Sequence, residues 1–236
     1  NTPHEADEYL AGRLEARGYR VEREGVQVQA FRCDTSKPKQ HQYSAPKPED
    51  PWYTAYNLYA EKKGHSHPDR IIMVLAHKDS QSWVDSPGAN DNAIGTIGVL
   101  EMARILAEYP SECTIRFLFC NEEHTPWTSI TAAERLAASS YHIVGVLNVD
   151  AIAGKADVDA GRKTNVTRYS TPEGHALAER MSALNERYHI GLEQRIHYKE
   201  KPGDDDGSFI KAGIPAAVLN IGSIPYEDAT YHTEGD

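Results

Sequence analysis

The sequence predicts an α/β fold built on a largely parallel central sheet, and three features predict it. Segments with helical spacing of apolar residues alternate with strand-like segments along most of the chain, the pattern of helices wound over a parallel sheet. Four strand-like segments (71–76, 114–120, 143–149 and 216–221) are short, mostly apolar runs, as expected of strands covered on both faces. A length of 236 residues suits one domain with a sizeable core.

Each element can be justified in turn. Residues 5–17 carry Ala6, Leu10, Ala11 and Leu14 at helical spacing, and Gly18 stops the helix. Strand-like runs follow at 19–23 and 26–31. Residues 35–51 are rich in Pro, Lys, Gln and Ser and read as an exposed loop. Alternation resumes at 53–61 and predicts a strand. Behind the first buried run comes a helix over 93–109, with Leu100, Ala103, Ile105 and Leu106 as its apolar positions. A helix at 132–138 separates the second and third buried runs. A helix at 172–188 and a strand near 193–198 precede the fourth. There is no internal repeat and no low-complexity tract.

Composition narrows the functional classes. The formal net charge of −10 argues against nucleic acid and anionic membrane, which both need a basic surface. No apolar run approaches the roughly 20 residues of a membrane span. Cys33, Cys113 and Cys120 lack CxxC spacing and read as small hydrophobes. The chain has no initiator Met and no signal peptide, opens inside its first helix, and stops just after its last motif. Further residues are therefore expected beyond both ends.

The chemistry sits where strands end. The run 71–76 leads into His77-Lys78-Asp79, the run 114–120 into Asn121-Glu122-Glu123, and the run 143–149 into Asp150. In open α/β sheets functional groups gather at the carboxyl ends of strands, so three strands deliver His, Glu and Asp to one edge. The segment Gly88-Ala89-Asn90-Asp91-Asn92 places Asp91 at a helix start, and Tyr231-His232-Thr233 follows the last strand. Two His and three carboxylates suit a pair of adjacent divalent cations, with one carboxylate bridging and the other four groups shared two to each ion. Three carboxylates supply −3 against +4, and a bridging hydroxide completes the balance.

This ordered set resembles the M28 family of di-zinc aminopeptidases over residues 71–236. The resemblance implies a three-layer sandwich, with a mixed, mainly parallel sheet of about eight strands flanked by helices. It implies one catalytic domain over 1–236, two Zn2+ per chain, and peptide substrates with a free N-terminus. By the same resemblance Asp91 bridges the ions, His77 and Asp150 complete one site, and Glu123 and His232 complete the other. Glu122 would be the general base, Asp79 would orient His77, and Asp236 would support His232 from behind. A cis peptide bond between Asp91 and Asn92 is also implied, as is a secreted or periplasmic location. The sequence does not set the oligomeric state.

Some positions depart from the family pattern. Asp204-Asp205-Asp206-Gly207-Ser208-Phe209 stands where relatives carry Ser-Asp-His-x-x-Phe, so Asp205 and Phe209 match while Asp206 replaces His. Asp205, Asp206 and Phe209 are candidate substrate-binding residues, with Asp206 either favouring basic side chains or simply solvated. Trp127, in His124-Thr125-Pro126-Trp127 where a Gly-rich stretch is usual, either lines the pocket or packs in the core. Tyr231 either donates its hydroxyl to the developing oxyanion or packs half-buried. Three alternatives stay open: a single-zinc glutaminyl-cyclase-like enzyme, a non-catalytic receptor-like module, and a carboxypeptidase using Arg168 or Arg195. His65-Ser66-His67 is expected to be solvent-exposed rather than a metal site.

Overall fold

The computed structural model describes residues 3–38, 41–154, 161–224 and 228–236. In chain order its elements begin with α1 (Pro3–Glu15), β1 (Glu22–Ala30), β2 (Arg32–Cys33), β3 (Tyr43–Ser44), β4 (Tyr53–Lys62), β5 (His67–His77) and α2 (Ile94–Leu106). Then come β6 (Cys113–Cys120), β7 (His124–Thr125), α3 (Thr128–Ala137), β8 (His142–Val149), β9 (Thr164–Tyr169), α4 (Pro172–Arg187), β10 (Glu193–Tyr198), α5 (Asp204–Lys211) and β11 (Ala217–Ile221).

Nine of the strands form one sheet in the order β10-β9-β11-β8-β5-β6-β4-β1-β7. The four neighbours β11, β8, β5 and β6 run parallel. Antiparallel pairings join this centre to β9 on one side and to β4 on the other. The carboxyl ends of β5, β6, β8 and β11 therefore share one edge.

Apolar residues fill both faces because side chains alternate along a strand. On one face Val74, Ala76, Phe117 and Phe119 pack with Leu10 and Leu14 of α1 and with Val99 and Ala103 of α2. On the other, Met73, Leu75 and Leu118 pack with Ala132, Ala133 and Leu136 of α3 and with Phe209 of α5. These two apolar layers account for the mostly apolar runs of the central strands, which Arg116, Asn148 and Asn220 interrupt. Among the described residues no helix is long and apolar enough to cross a membrane.

Several expectations are corrected. In place of two strands at 19–23 and 26–31 there is one, β1 over Glu22–Ala30, with 19–21 outside it, and it pairs with β4 continuously from Glu22↔Tyr59 to Val28↔Tyr53. The segment 35–51 is not all exposed loop. It carries β3, and Tyr43 there is half-buried, while residues 39–40 of that segment lie outside the described ones. Cys120 is buried, but Cys33 and Cys113 are only half-buried, and all three thiols are free.

Candidate metal centre

The edge where the parallel strands end collects the polar residues singled out above. His77 is the last residue of β5, Glu122 and Glu123 follow β6, and Asp150 follows β8. Asp91 comes from the turn before α2, and His232 from the segment after β11.

Local structure fixes the Asp91 turn. Gly88 adopts φ +63°, and a Cβ there would meet the carbonyl oxygen of Asp91 at 2.6 Å, so only glycine fits. Asn92 pins the turn to the sheet. Its Nδ2 donates to the Val149 carbonyl at 2.8 Å, and its Oδ1 accepts from Gly95 N at 2.9 Å and Ala151 N at 3.2 Å. A Cβ at Gly95 would stand 2.2 Å from that Oδ1, so α2 starts this close to β8 only because residue 95 is glycine. The peptide bond between Asp91 and Asn92 is cis. Asp236 ties the turn to the last segment, accepting from Asn90 N at 3.1 Å and from His232 N at 3.2 Å.

The result is two groups of donor atoms sharing Asp91. His77 Nε2 lies 3.0 Å from Asp91 Oδ1 and 3.4 Å from Asp150 Oδ1. His232 Nε2 lies 2.7 Å from Asp91 Oδ2 and 3.3 Å from Glu123 Oε1. Ligands held about 2.0–2.1 Å from a tetrahedral zinc ion stand roughly 3.3 Å from one another. The four His–carboxylate distances bracket that spacing, and in both groups, His77–Asp91–Asp150 and Asp91–Glu123–His232, the buried residues bring their donor atoms within 4.8 Å of one another.

The electrostatics point the same way. Asp91 Oδ2 and Asp150 Oδ1 are buried without accepting a hydrogen bond. Burial, with Asp150 nearby, pushes the Asp91 carboxyl up to about 6 against the pull of His77. Burial, helped by Asp91 and Asp79, pushes Glu123 up to about 8. Burial alone would lower the pKa of His77, but Asp150, Asp79 and Asp91 hold it well above the imidazole range. Carboxylates crowded into a dry site are costly unless cations join them. The residues present therefore fit a pair of divalent ions.

Supporting groups surround these donor atoms. Asp79 faces His77 Nδ1, with its carbonyl at 3.2 Å and its Oδ1 at 3.4 Å. Its carboxylate accepts from Glu122 N at 2.9 Å, Glu123 N at 3.0 Å and His124 Nδ1 at 2.6 Å. Burial opposes its ionisation, yet His124 and His77 hold its pKa far below the usual carboxylate range. Gln81 Nε2 donates to Glu123 Oε2 at 3.1 Å. Glu122 Oε2 is buried and accepts no hydrogen bond. Burial raises the Glu122 carboxyl well above its ordinary value, and Asp205 adds to the rise.

A cavity of about 230 Å³ opens onto the centre. Phe31, Tyr43, Trp127 and Tyr231 form its aromatic walls, and Glu122, Glu123 and His232 its polar side. Trp127 thus faces the cavity. Tyr231 stacks on His232 with ring centroids 3.4 Å apart, and burial raises its pKa well above 10.0.

The three candidate substrate contacts on α5 are all buried. Phe209 is fully buried in the core beneath α5 and does not line this cavity. Asp205 is fully buried, where it accepts from Cys120 Sγ at 3.1 Å. Asp206 is only 2 % exposed, so it is not a solvated surface group. Arg168 bonds Asp204 and lies 3.9 Å from Asp206, so its charge is already matched. His65 and His67 are exposed, as expected.

Tyr43, His124, Gln81 and Asn92 are the functional neighbours that sequence reasoning did not assign. Asn92 belonged to a quoted motif and could have been given a role. Tyr43 carries no local signal at all, since its neighbours read as loop.

The model for "Peptidase family M28" matches residues 57–236. A probable zinc metalloprotease from Pyrenophora teres f. teres (strain 0-1) is 32% identical over 149 residues, covering 59% of this chain and 31% of that protein. Aminopeptidase YwaD from Bacillus subtilis (strain 168) is 49% identical over 67 residues, 28% of this chain and 14% of that protein. Among solved structures, a Bacteroides thetaiotaomicron glutaminyl cyclase bound to N-acetylhistamine shares the fold with a TM-score of 0.70 at 19% identity, covering 99% of this chain and 82% of that one. BSAP, a zinc aminopeptidase from Bacillus subtilis, gives 0.59 at 24% identity over 78% of this chain and 44% of that one. The chain spans about a third (31%) of the length of the fungal relatives it matches first.

Proposed function

The chain belongs to peptidase family M28, and from that membership and the two donor groups sharing Asp91 we propose that it is a zinc-dependent aminopeptidase. Its reaction is hydrolysis of the N-terminal peptide bond of peptides at a centre of two zinc ions, with Glu122 as general base. The observation that carries this reading is the shared carboxylate, with one oxygen 3.0 Å from His77 Nε2 and the other 2.7 Å from His232 Nε2. In this reading His77, Asp91 and Asp150 hold one ion, and Asp91, Glu123 and His232 hold the other. Zinc bound there supplies Lewis acidity and brings the pKa of water toward neutrality.

The remaining steps belong to the chain's own groups. Glu122 is held by its backbone to Asp79, leaving its buried Oε2 free to take a proton from the attacking water. It then returns that proton to the leaving amine. Asp79 keeps His77 in the tautomer that presents Nε2 to the centre. Tyr231, beside His232, offers a hydroxyl to the developing oxyanion. Glu122, Asp150 and Asp204 bring carboxylate oxygens within 4.8 Å of one another, which suits the free α-ammonium of a peptide. The aromatic walls suit an apolar side chain next to that ammonium.

The test is a panel of aminoacyl amides and short peptides, each free or N-acetylated, assayed on protein of measured zinc content. Cleavage should require the free amine and favour large apolar N-terminal residues. Efficient cleavage of acetylated peptides would overturn the aminopeptidase reading. Cyclisation of N-terminal glutamine by protein holding a single ion would replace it with the cyclase reading.

A further inference from the structure

The family match begins at residue 57, yet an earlier part of the chain reaches the centre. We propose that Tyr43 is a positioning residue for His232, holding the ring so that Nε2 faces the donor group of Asp91 and Glu123. The proposal rests on the reading of His232 as a zinc ligand.

The argument starts from the two nitrogens of His232. Nε2 faces Asp91 and Glu123 at 2.7 and 3.3 Å, so it is the nitrogen offered to an ion. The proton then sits on Nδ1, which hydrogen-bonds the Tyr43 hydroxyl. In that tautomer Nδ1–H donates and the phenol oxygen accepts. The two rings meet edge to face, with centroids 4.8 Å apart at 73°. A metal-bound imidazole is commonly fixed through its second nitrogen. His77 is fixed by Asp79, and His232 has a phenol in the corresponding place.

Tyr43 stands on an anchored arm. It pairs with Cys33 across β2 and β3. Next to Cys33, Arg32 makes two bonds to Asp50, at 2.7 and 2.5 Å. Asp50 also accepts from Lys47 N at 2.7 Å, and its carbonyl accepts from Gln29 Nε2 at 2.8 Å. The near end of the arm bonds the site itself, since Phe31 N donates to the Glu123 carbonyl at 3.4 Å. A phenylalanine at 43 would pack equally well against the cavity wall, so the hydroxyl is the part of the side chain that packing does not explain.

The test compares wild type, Tyr43→Phe and His232→Ala, each zinc-loaded and equilibrated with a chromophoric chelator. His232→Ala identifies the ion that His232 holds. Tyr43→Phe should weaken that same ion by about tenfold or more, leave the other ion as in wild type, and leave the melting temperature of the metal-free protein unchanged. Unchanged affinity for the His232 ion would overturn the proposal. So would parallel loss of both ions with a lower metal-free melting temperature, the mark of a packing role. Fewer than two ions on wild type would refute the two-metal reading separately, because the Tyr43→Phe comparison still stands on whichever ion His232→Ala removes. Zinc binding indifferent to His232→Ala would overturn both.

Discussion

Asp91 Oδ2 lies 2.7 Å from His232 Nε2, although one residue opens the turn before α2 and the other sits in the last segment of the chain. Its other oxygen faces His77. A single side chain thus joins two halves of the site, and Asp91→Asn removes an anionic oxygen from one of them. The variant should lose at least one of two zinc ions while staying folded, as measured by metal analysis and circular dichroism. Full zinc retention would show that Asp91 does not bridge.

Glu122 stands beside the two donor groups that share Asp91 without belonging to either. Glu122→Gln keeps the shape and removes the proton acceptor. Turnover should fall by about 10²–10⁴-fold with zinc content unchanged, read by steady-state kinetics and metal analysis together. A variant with wild-type turnover would take Glu122 out of the proton path.

Lys78 is a buried cation, with Nζ 2.9 Å from Asp7 of α1 and 2.9 Å from Asn121 Oδ1. Its side chain is 3 % exposed and that of Asp7 2 %. Removing one partner strands the other charge, so Lys78→Met should destabilise by about 3–5 kcal/mol in urea unfolding. The double variant Asp7→Asn, Lys78→Met should recover part of that loss.

Asp206 gives a pH dependence whose sign is fixed by burial. Its carboxyl is raised from 3.8 to about 7 by burial, with Arg168 opposing and Asp205 adding. The folded protein therefore holds this proton more tightly than the unfolded chain does. The contribution is fully present below about pH 4 and is lost as pH rises toward 7, an effect on the order of a few kcal/mol. Wild type should lose stability relative to Asp206→Asn across that window, and the difference should level off above it. A difference that is flat from pH 4 to 8 would mean that Asp206 is ionised in the fold.

The parallel centre and the candidate donor set were legible for a common reason. Buried central strands are mostly apolar, so the clusters of polar residues that follow them mark the edge where they end. His77, Glu123 and Asp150 are read directly from those positions. β9 escaped because Thr164–Tyr169 mixes polar and apolar residues with no run. α5 escaped because Asp204–Lys211 opens with three aspartates and buries two of them, Asp205 and Asp206, with Phe209, which hides any apolar period. The burial of Asp206 also went unread, since a run of acids normally means solvent. Tyr43 was out of reach, because its value depends on an ion pair between Arg32 and Asp50 and on a histidine far along the chain.

Diffraction from crystals of the purified protein, recorded on both sides of the zinc absorption edge, tests the two-metal centre most directly. Two anomalous peaks are expected, one among His77, Asp91 and Asp150 and one among Asp91, Glu123 and His232. A single peak, or peaks that Asp91 does not touch, would contradict it.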